Sequence, residues 1–109
     1  MPYVATHRFA KISPRKVRPL ADLIRGSFVD EAQEILQFQP HRGARLLEKV
    51  LKSAMANAEE QRAADRHHLM VTDVRVDGGP MFKRMQPKSR GQASIIKKRL
   101  SHIHIELDY

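Results

Sequence analysis

The chain has 109 residues, 41% apolar and 6% aromatic, with a net charge of +8, a composition that is globular rather than disordered and sized for one domain. The absence of cysteine excludes a disulfide framework, a thiolate zinc site and a cysteine nucleophile together, and fits a reducing cytosol. No apolar run approaches the roughly 20 residues that span a bilayer, and Met1 to Ile12 alternates polar with apolar residues instead of forming a signal-peptide core, so no membrane partner and a cytoplasmic location are expected.

Tyr3 to Ile12, bounded by Pro2 and Pro14, alternates as a strand does. Ser13 and Pro14 then start a helix, because serine can accept a hydrogen bond from a first-turn amide and proline at the first helical position loses nothing by lacking a donor. Val17, Leu20, Ala21 and Ile24 follow at helical spacing, Pro19 falls early enough to be tolerated, and Gly26 supplies a left-handed stop. A second short helix begins at Asp30, with Gln33 completing a capping arrangement and Ala32, Ile35 and Leu36 facing the core, and ends at Pro40. A third spans about His41 to Arg62. Leu47, Val50, Leu51, Ala54 and Ala58 form its apolar stripe, and its alanine-rich half favours close packing on a sheet. After a polar connector, Ala63 to His68, the residues Met70, Thr72, Val74 and Val76 alternate with Asp73, Arg75 and Asp77 as a half-buried strand. Ile103, Ile105, Leu107 and Tyr109 alternate with His102, His104, Glu106 and Asp108 as another.

Charge is segregated along this pattern. Met1 to Ala21 carries Arg8, Lys11, Arg15, Lys16 and Arg18 and no acid, and Asp22 to Asp77 is nearly neutral. Gly78 to Ser101 then holds Lys83, Arg84, Lys88, Arg90, Lys97, Lys98 and Arg99, again without an acid. Cations this dense repel one another unless a polyanion supplies the counter-charge. If the two flanking strands pair antiparallel, the block becomes a long hairpin with its tip near Gln86 to Gly91 and arms of roughly ten residues, on the order of 30 Å. Such an arm suits insertion between segments of nucleic acid, where its cations meet phosphates. Phe82, the one aromatic in the block, either stacks on a base or packs across the hairpin. Arg15, Lys16 and Arg18 stand at a helix start, where the dipole disfavours cations, which is easier to understand if phosphates sit opposite them.

Other chemistries find little support. His102 and His104, with His67 and His68, have no cysteine or carboxylate at ligand spacing. Glu59 and Glu60 are adjacent on a helix and do not face each other. Gly78-Gly79-Pro80 lacks the spacing of a phosphate-binding loop. A small DNA-binding regulator would share the charge, but its recognition helix would here carry Asp30, Glu31 and Glu34. No acid, base and nucleophile group together as an enzyme requires.

Four segments carry a resemblance over essentially the whole chain: SPRKVRPLADLIRG (Ser13 to Gly26), SAMANAE (Ser53 to Glu59), GPMFKRMQPKSR (Gly79 to Arg90) followed by Gly91, and KRLSHI (Lys98 to Ile103). In order and spacing they resemble the large-subunit ribosomal protein twenty-two family of the bacterial type. Gln92, where an arginine is common in that family, and Gln86, in place of an apolar residue, depart from it. The resemblance implies an α+β fold, three helices packed on a small antiparallel sheet with a long extended β-hairpin, in one domain over 1–109 with 78–101 protruding. It implies a structural role without reaction or cofactor: binding large-subunit ribosomal RNA, aiding assembly, contacting neighbouring large-subunit proteins, and lining the nascent-peptide exit tunnel near the macrolide site. The candidate RNA-binding residues are Arg8, Lys11, Arg15, Lys16, Arg18, Arg25, Lys83, Arg84, Lys88, Arg90, Lys97, Lys98 and Arg99. The hairpin tip would comprise Phe82, Lys83, Arg84, Met85, Gln86, Pro87 and Lys88, beside the nascent peptide.

Overall fold

The computed structural model describes residues 2–62, 68–87, 91 and 93–109, with the side chains of 84, 86, 87 and 93–97 left out. Along the chain run β1 (Tyr3–Ala10), α1 (Pro14–Ile24), α2 (Val29–Phe38), α3 (Arg42–Glu60), β2 (Met70–Pro87) and β3 (Ala93–Asp108). The strands form one antiparallel sheet in the order β1-β3-β2, and the helices cover one of its faces. This is the expected α+β arrangement.

Alternation explains the two sides of the sheet. On β3, Ser101, Ile103, Ile105 and Leu107 are fully buried, while His102, His104, Glu106 and Asp108 between them are half-buried on the open face. Tyr3, Ala5 and Ala10 of β1 and Val71, Val74 and Val76 of β2 complete the apolar face. Against it α3 lays Leu47, Val50, Leu51, Ala54 and Ala58, all buried. Each large side chain so enclosed contributes about 1.5–3 kcal/mol relative to exposure. The alanines let the helix approach closely, and Asn57 Nδ2 donates to Val4 O at 2.8 Å, tying α3 to the edge of β1.

Several local expectations fail for identifiable reasons. Met70 and Thr72 do not share the core face with Val74. The register slips between Val71 and Asp73, and this bulge turns Val71 inward instead. β1 stops at Ala10 rather than Ile12, because its pairing with β3 is irregular between His7 and Ala10 and Ile12 N then closes a tight turn onto Ala10 O at 2.8 Å. Ser13 caps α1 with no side-chain hydrogen bond, and Pro14 at the first position sets the start. Gly26 does adopt a left-handed φ of 85°.

α2 begins at Val29 with Phe28 as its cap, not at Asp30 with a capping box. The cause is tertiary. Gly26 N and Ser27 O both bond Val71, each at 2.8 Å, Phe28 bridges Met70, and Val29 N donates to Leu69 O at 3.0 Å. The linker thus hydrogen-bonds along the start of β2 through an isolated bridge, and the helix starts where that pairing ends.

β2 and β3 continue far past the helices. After a second irregularity between Gly78 and Met81, pairing resumes at Met81↔Arg99 and runs to Pro87↔Ala93. Counted from Gly78↔Ser101, where the basic block begins, the arms run from Gly78 to Pro87 and from Ala93 to Ser101, roughly the ten residues and 30 Å that the sequence suggested. Gln86 and Pro87 belong to the arm, not the turn. Gly79 sits at that irregularity in close approach to β3: an added Cβ would lie 3.1 Å from Leu100 O, tight enough that the backbone opposite would have to give by a few tenths of an ångström. The hairpin explains the shape. A chain of this length folded as a globule has a radius of gyration of about 13 Å, whereas here it is 16.8 Å and the long axis extends 64 Å.

Candidate nucleic-acid interface

The two-residue period of the hairpin sends its cations to both faces of its base. Phe82 pairs with Lys98 and Met81 with Arg99. On one side, Phe82, Lys98, Arg99 and Leu100 join Phe9, Lys11 and Ser13 from the β1–α1 segment, Lys16 from α1 and Arg42 from α3 around an open cleft of about 950 Å³. Among the described residues, five cations and no carboxylate line it. On the other side, Met81, Arg99, Gly78 and Gly79 meet Pro14, Arg15 and Arg18 of α1 in a shallower groove.

A third hollow adjoins the first, lined by Lys11, Arg15, Lys16, His41 and Arg42 over a floor of Ile12, Leu20 and Gly43. The first turns of α1 and α3 meet here, and neither contains an acid. Each helix brings roughly half a positive charge at its amino end. Their free amides and the side-chain cations act in one direction, toward an anion.

The predicted RNA-binding residues divide accordingly. Lys11, Lys16, Lys98 and Arg99 share the large cleft, Arg15 stands in the two hollows beside it, and Arg8 faces the open side of the sheet with Arg75, His102 and His104. Lys83 is exposed farther out on β2, set opposite Lys97 in the register. Lys88 and Arg90 lie outside the described residues, as do the side chains of Arg84, Lys97, Gln86 and Pro87. Phe82, expected at the tip, lies near the base of the arm, while Met85 toward its end is 75% exposed.

Arg18 and Arg25 are engaged in the fold itself. Arg18 donates through Nε and a terminal nitrogen to Val76 O at 3.2 and 3.1 Å. Arg25 donates to Val74 O and to Asp22 Oδ1, both at 2.6 Å. Their guanidinium groups satisfy carbonyls along the outer edge of β2 and shield it from pairing with another chain.

Arg42 was missed because its surroundings in sequence are electrically balanced. The signal that could have found it is the one already used for Arg15: a cation in the first turn of a helix without a neighbouring acid. No group of three or more potential metal ligands occurs among the described residues. His104 instead bonds Thr6 Oγ1 at 2.8 Å and Glu106 at 3.2 Å.

Comparison with known proteins agrees with this arrangement. The family model described as ribosomal protein L22p/L17e matches residues 5–108. The large ribosomal subunit protein uL22 of Rhodopirellula baltica is 56% identical over 110 residues, covering 96% of this chain and 92% of that protein. Its counterpart in Caldicellulosiruptor saccharolyticus is 52% identical over 103 residues, covering 94% and 84%. That of a Thermotoga species is 50% identical over 101 residues, covering 93% and 64%. The match runs through every helix and strand and through the basic hairpin, and the chain belongs to the ribosomal protein L22p/L17e family.

Proposed function

We propose that this protein is a structural constituent of the large ribosomal subunit in the cytoplasm, acting as one domain that binds the subunit's RNA and catalyses no reaction. The observation that carries the reading is the continuation of β2 and β3 beyond the core as a paired arm, flanked at its base by cationic hollows on both faces. Such a shape is poorly suited to a flat duplex surface and well suited to a crevice between RNA segments. Lys11, Arg15, Lys16, Arg42, Lys98 and Arg99 hold phosphates at the base. Lys83, Arg84, Lys88, Arg90 and Lys97 hold them along the arm, and Arg8 contributes from the sheet. Arg18 and Arg25 act mainly on the fold and only secondarily on RNA.

With the base anchored in RNA, the exposed Met85 and the turn beyond it reach the wall of the nascent-peptide exit tunnel, and neighbouring subunit proteins pack on the remaining surface. The fixed φ of Pro87 and the extended bias it places on Gln86 preset the end of the arm. Sedimentation of ribosomes from cells expressing a tagged chain tests the assignment. The tag is expected with the large subunit and to remain there after a moderate salt wash. Recovery only in the unassembled fraction would overturn it.

A further inference from the structure

One residue in the cleft at the hairpin base is held in a backbone conformation that costs energy. Phe9 has a φ of 59°, a left-handed angle that bulky L residues avoid, and the residue is 56% exposed. Stability alone would favour glycine for the angle and a polar side chain for the exposure. Yet Phe9 is carefully fixed. Its amide donates to His102 Nδ1 at 3.1 Å, and its ring meets the imidazole edge to face, with centroids 5.0 Å apart and planes at 86°. Since Nδ1 accepts that bond, the ring proton of His102 sits on Nε2. Strain of this kind persists where the surroundings over-determine it, commonly at binding sites.

The cations around Phe9 would attract any phosphate. A fixed aromatic wall adds nothing to that attraction, but it matches the face of a base. We propose that the cleft takes one unstacked nucleotide of single-stranded RNA, its base stacked on Phe9 and its flanking phosphates held by Lys11, Arg42 and Lys98, with His102 as the positioning residue. The cleft volume of about 950 Å³ lies within the range of small-ligand sites. The inference rests on the RNA-binding reading and narrows it from a polyanion to a splayed, single-stranded element. Duplex RNA offers the same phosphates without a free base face, so it gains only the charge contribution. Stacking is tolerant of base identity, so discrimination is between single strand and duplex.

The test uses the full chain with a short single-stranded oligoribonucleotide carrying 2-aminopurine, and an RNA duplex of equal phosphate count at matched salt. Wild-type protein is expected to change the 2-aminopurine emission on binding. Phe9→Leu and Phe9→Gly weaken single-strand affinity about tenfold, the loss of one stacked base, and leave duplex affinity and salt dependence as they were. Phe9→Tyr, which keeps the ring, binds like wild type. Glycine accepts the left-handed angle, so Phe9→Gly keeps its unfolding midpoint within a few degrees of wild type and its binding loss is not unfolding. Single-strand binding and emission unchanged in Phe9→Leu and Phe9→Gly would overturn the nucleotide site and leave the RNA-binding reading intact. Failure of the wild type to bind either RNA would overturn both.

Discussion

Replacing Ser101 by alanine probes the junction on which the hairpin is mounted. Ser101 is fully buried, stands opposite Ala10 on one side and Gly78 on the other, and donates from Oγ to Ile12 O at 2.6 Å. That bond fixes the chain between Lys11 and Ser13, two walls of the basal cleft. In Ser101→Ala the Ile12 carbonyl keeps its burial and loses its donor, which costs about 1–3 kcal/mol. At roughly 4–8 °C per kcal/mol for a domain of this size, the unfolding midpoint should fall by about 10 °C. Thr72→Val is the control, because Thr72 Oγ1 donates to Glu106 O at 3.2 Å in an exposed position. There water replaces the lost donor, and valine suits a strand, so the midpoint should hardly move. Calorimetry on the two variants decides. Equal losses, or a Ser101→Ala loss below about 0.5 kcal/mol, would refute the claim that burial at the junction makes this bond matter.

Two further perturbations separate the core from the arm. Replacing residues 82–98 by an Asn-Gly turn closes the hairpin at Met81 and Arg99, and cooperative thermal unfolding should survive while most RNA affinity is lost, since the apolar cluster found among the described residues lies outside the excised segment; a molten or uncooperative product by calorimetry would show that the arm belongs to the core. Arg45→Ala removes a guanidinium that bonds Leu36 O at 2.9 Å, Gln37 O at 3.1 Å and Glu48 at 2.7 Å, so denaturant melts should show a loss of about 1 kcal/mol, discounted for its partial exposure, and no loss would mean that water caps the end of α2 equally well.

The parts of the fold legible in sequence were those fixed by period. The stripe Leu47, Val50, Leu51, Ala54 and Ala58 and the alternation from Ile103 to Leu107 survive because burial rewards each of those side chains independently. The parts that were not legible are set by contacts between distant segments. Nothing near Val71 announces the bulge that turns it inward, and nothing near Asp30 announces that residues 26–29 pair with β2 and move the start of the helix. The site divided similarly. Its charge could be counted along the chain, whereas the meeting of Arg42 with Lys11 and Lys98 depends on the approach of α3 to the hairpin base. Arg18 and Arg25 show the converse, since a cation in a basic stretch can be committed to a carbonyl of its own sheet. Phe9 gave no signal, because a left-handed angle is not written in a phenylalanine.

The central claim is that the hairpin and its base form a phosphate-binding surface. Affinity of the full chain for large-subunit ribosomal RNA, measured across salt concentrations, tests it most directly. With about seven phosphates neutralised, the logarithm of affinity should fall against the logarithm of salt with a slope of roughly −5 to −6. A slope shallower than about −2 would contradict the account.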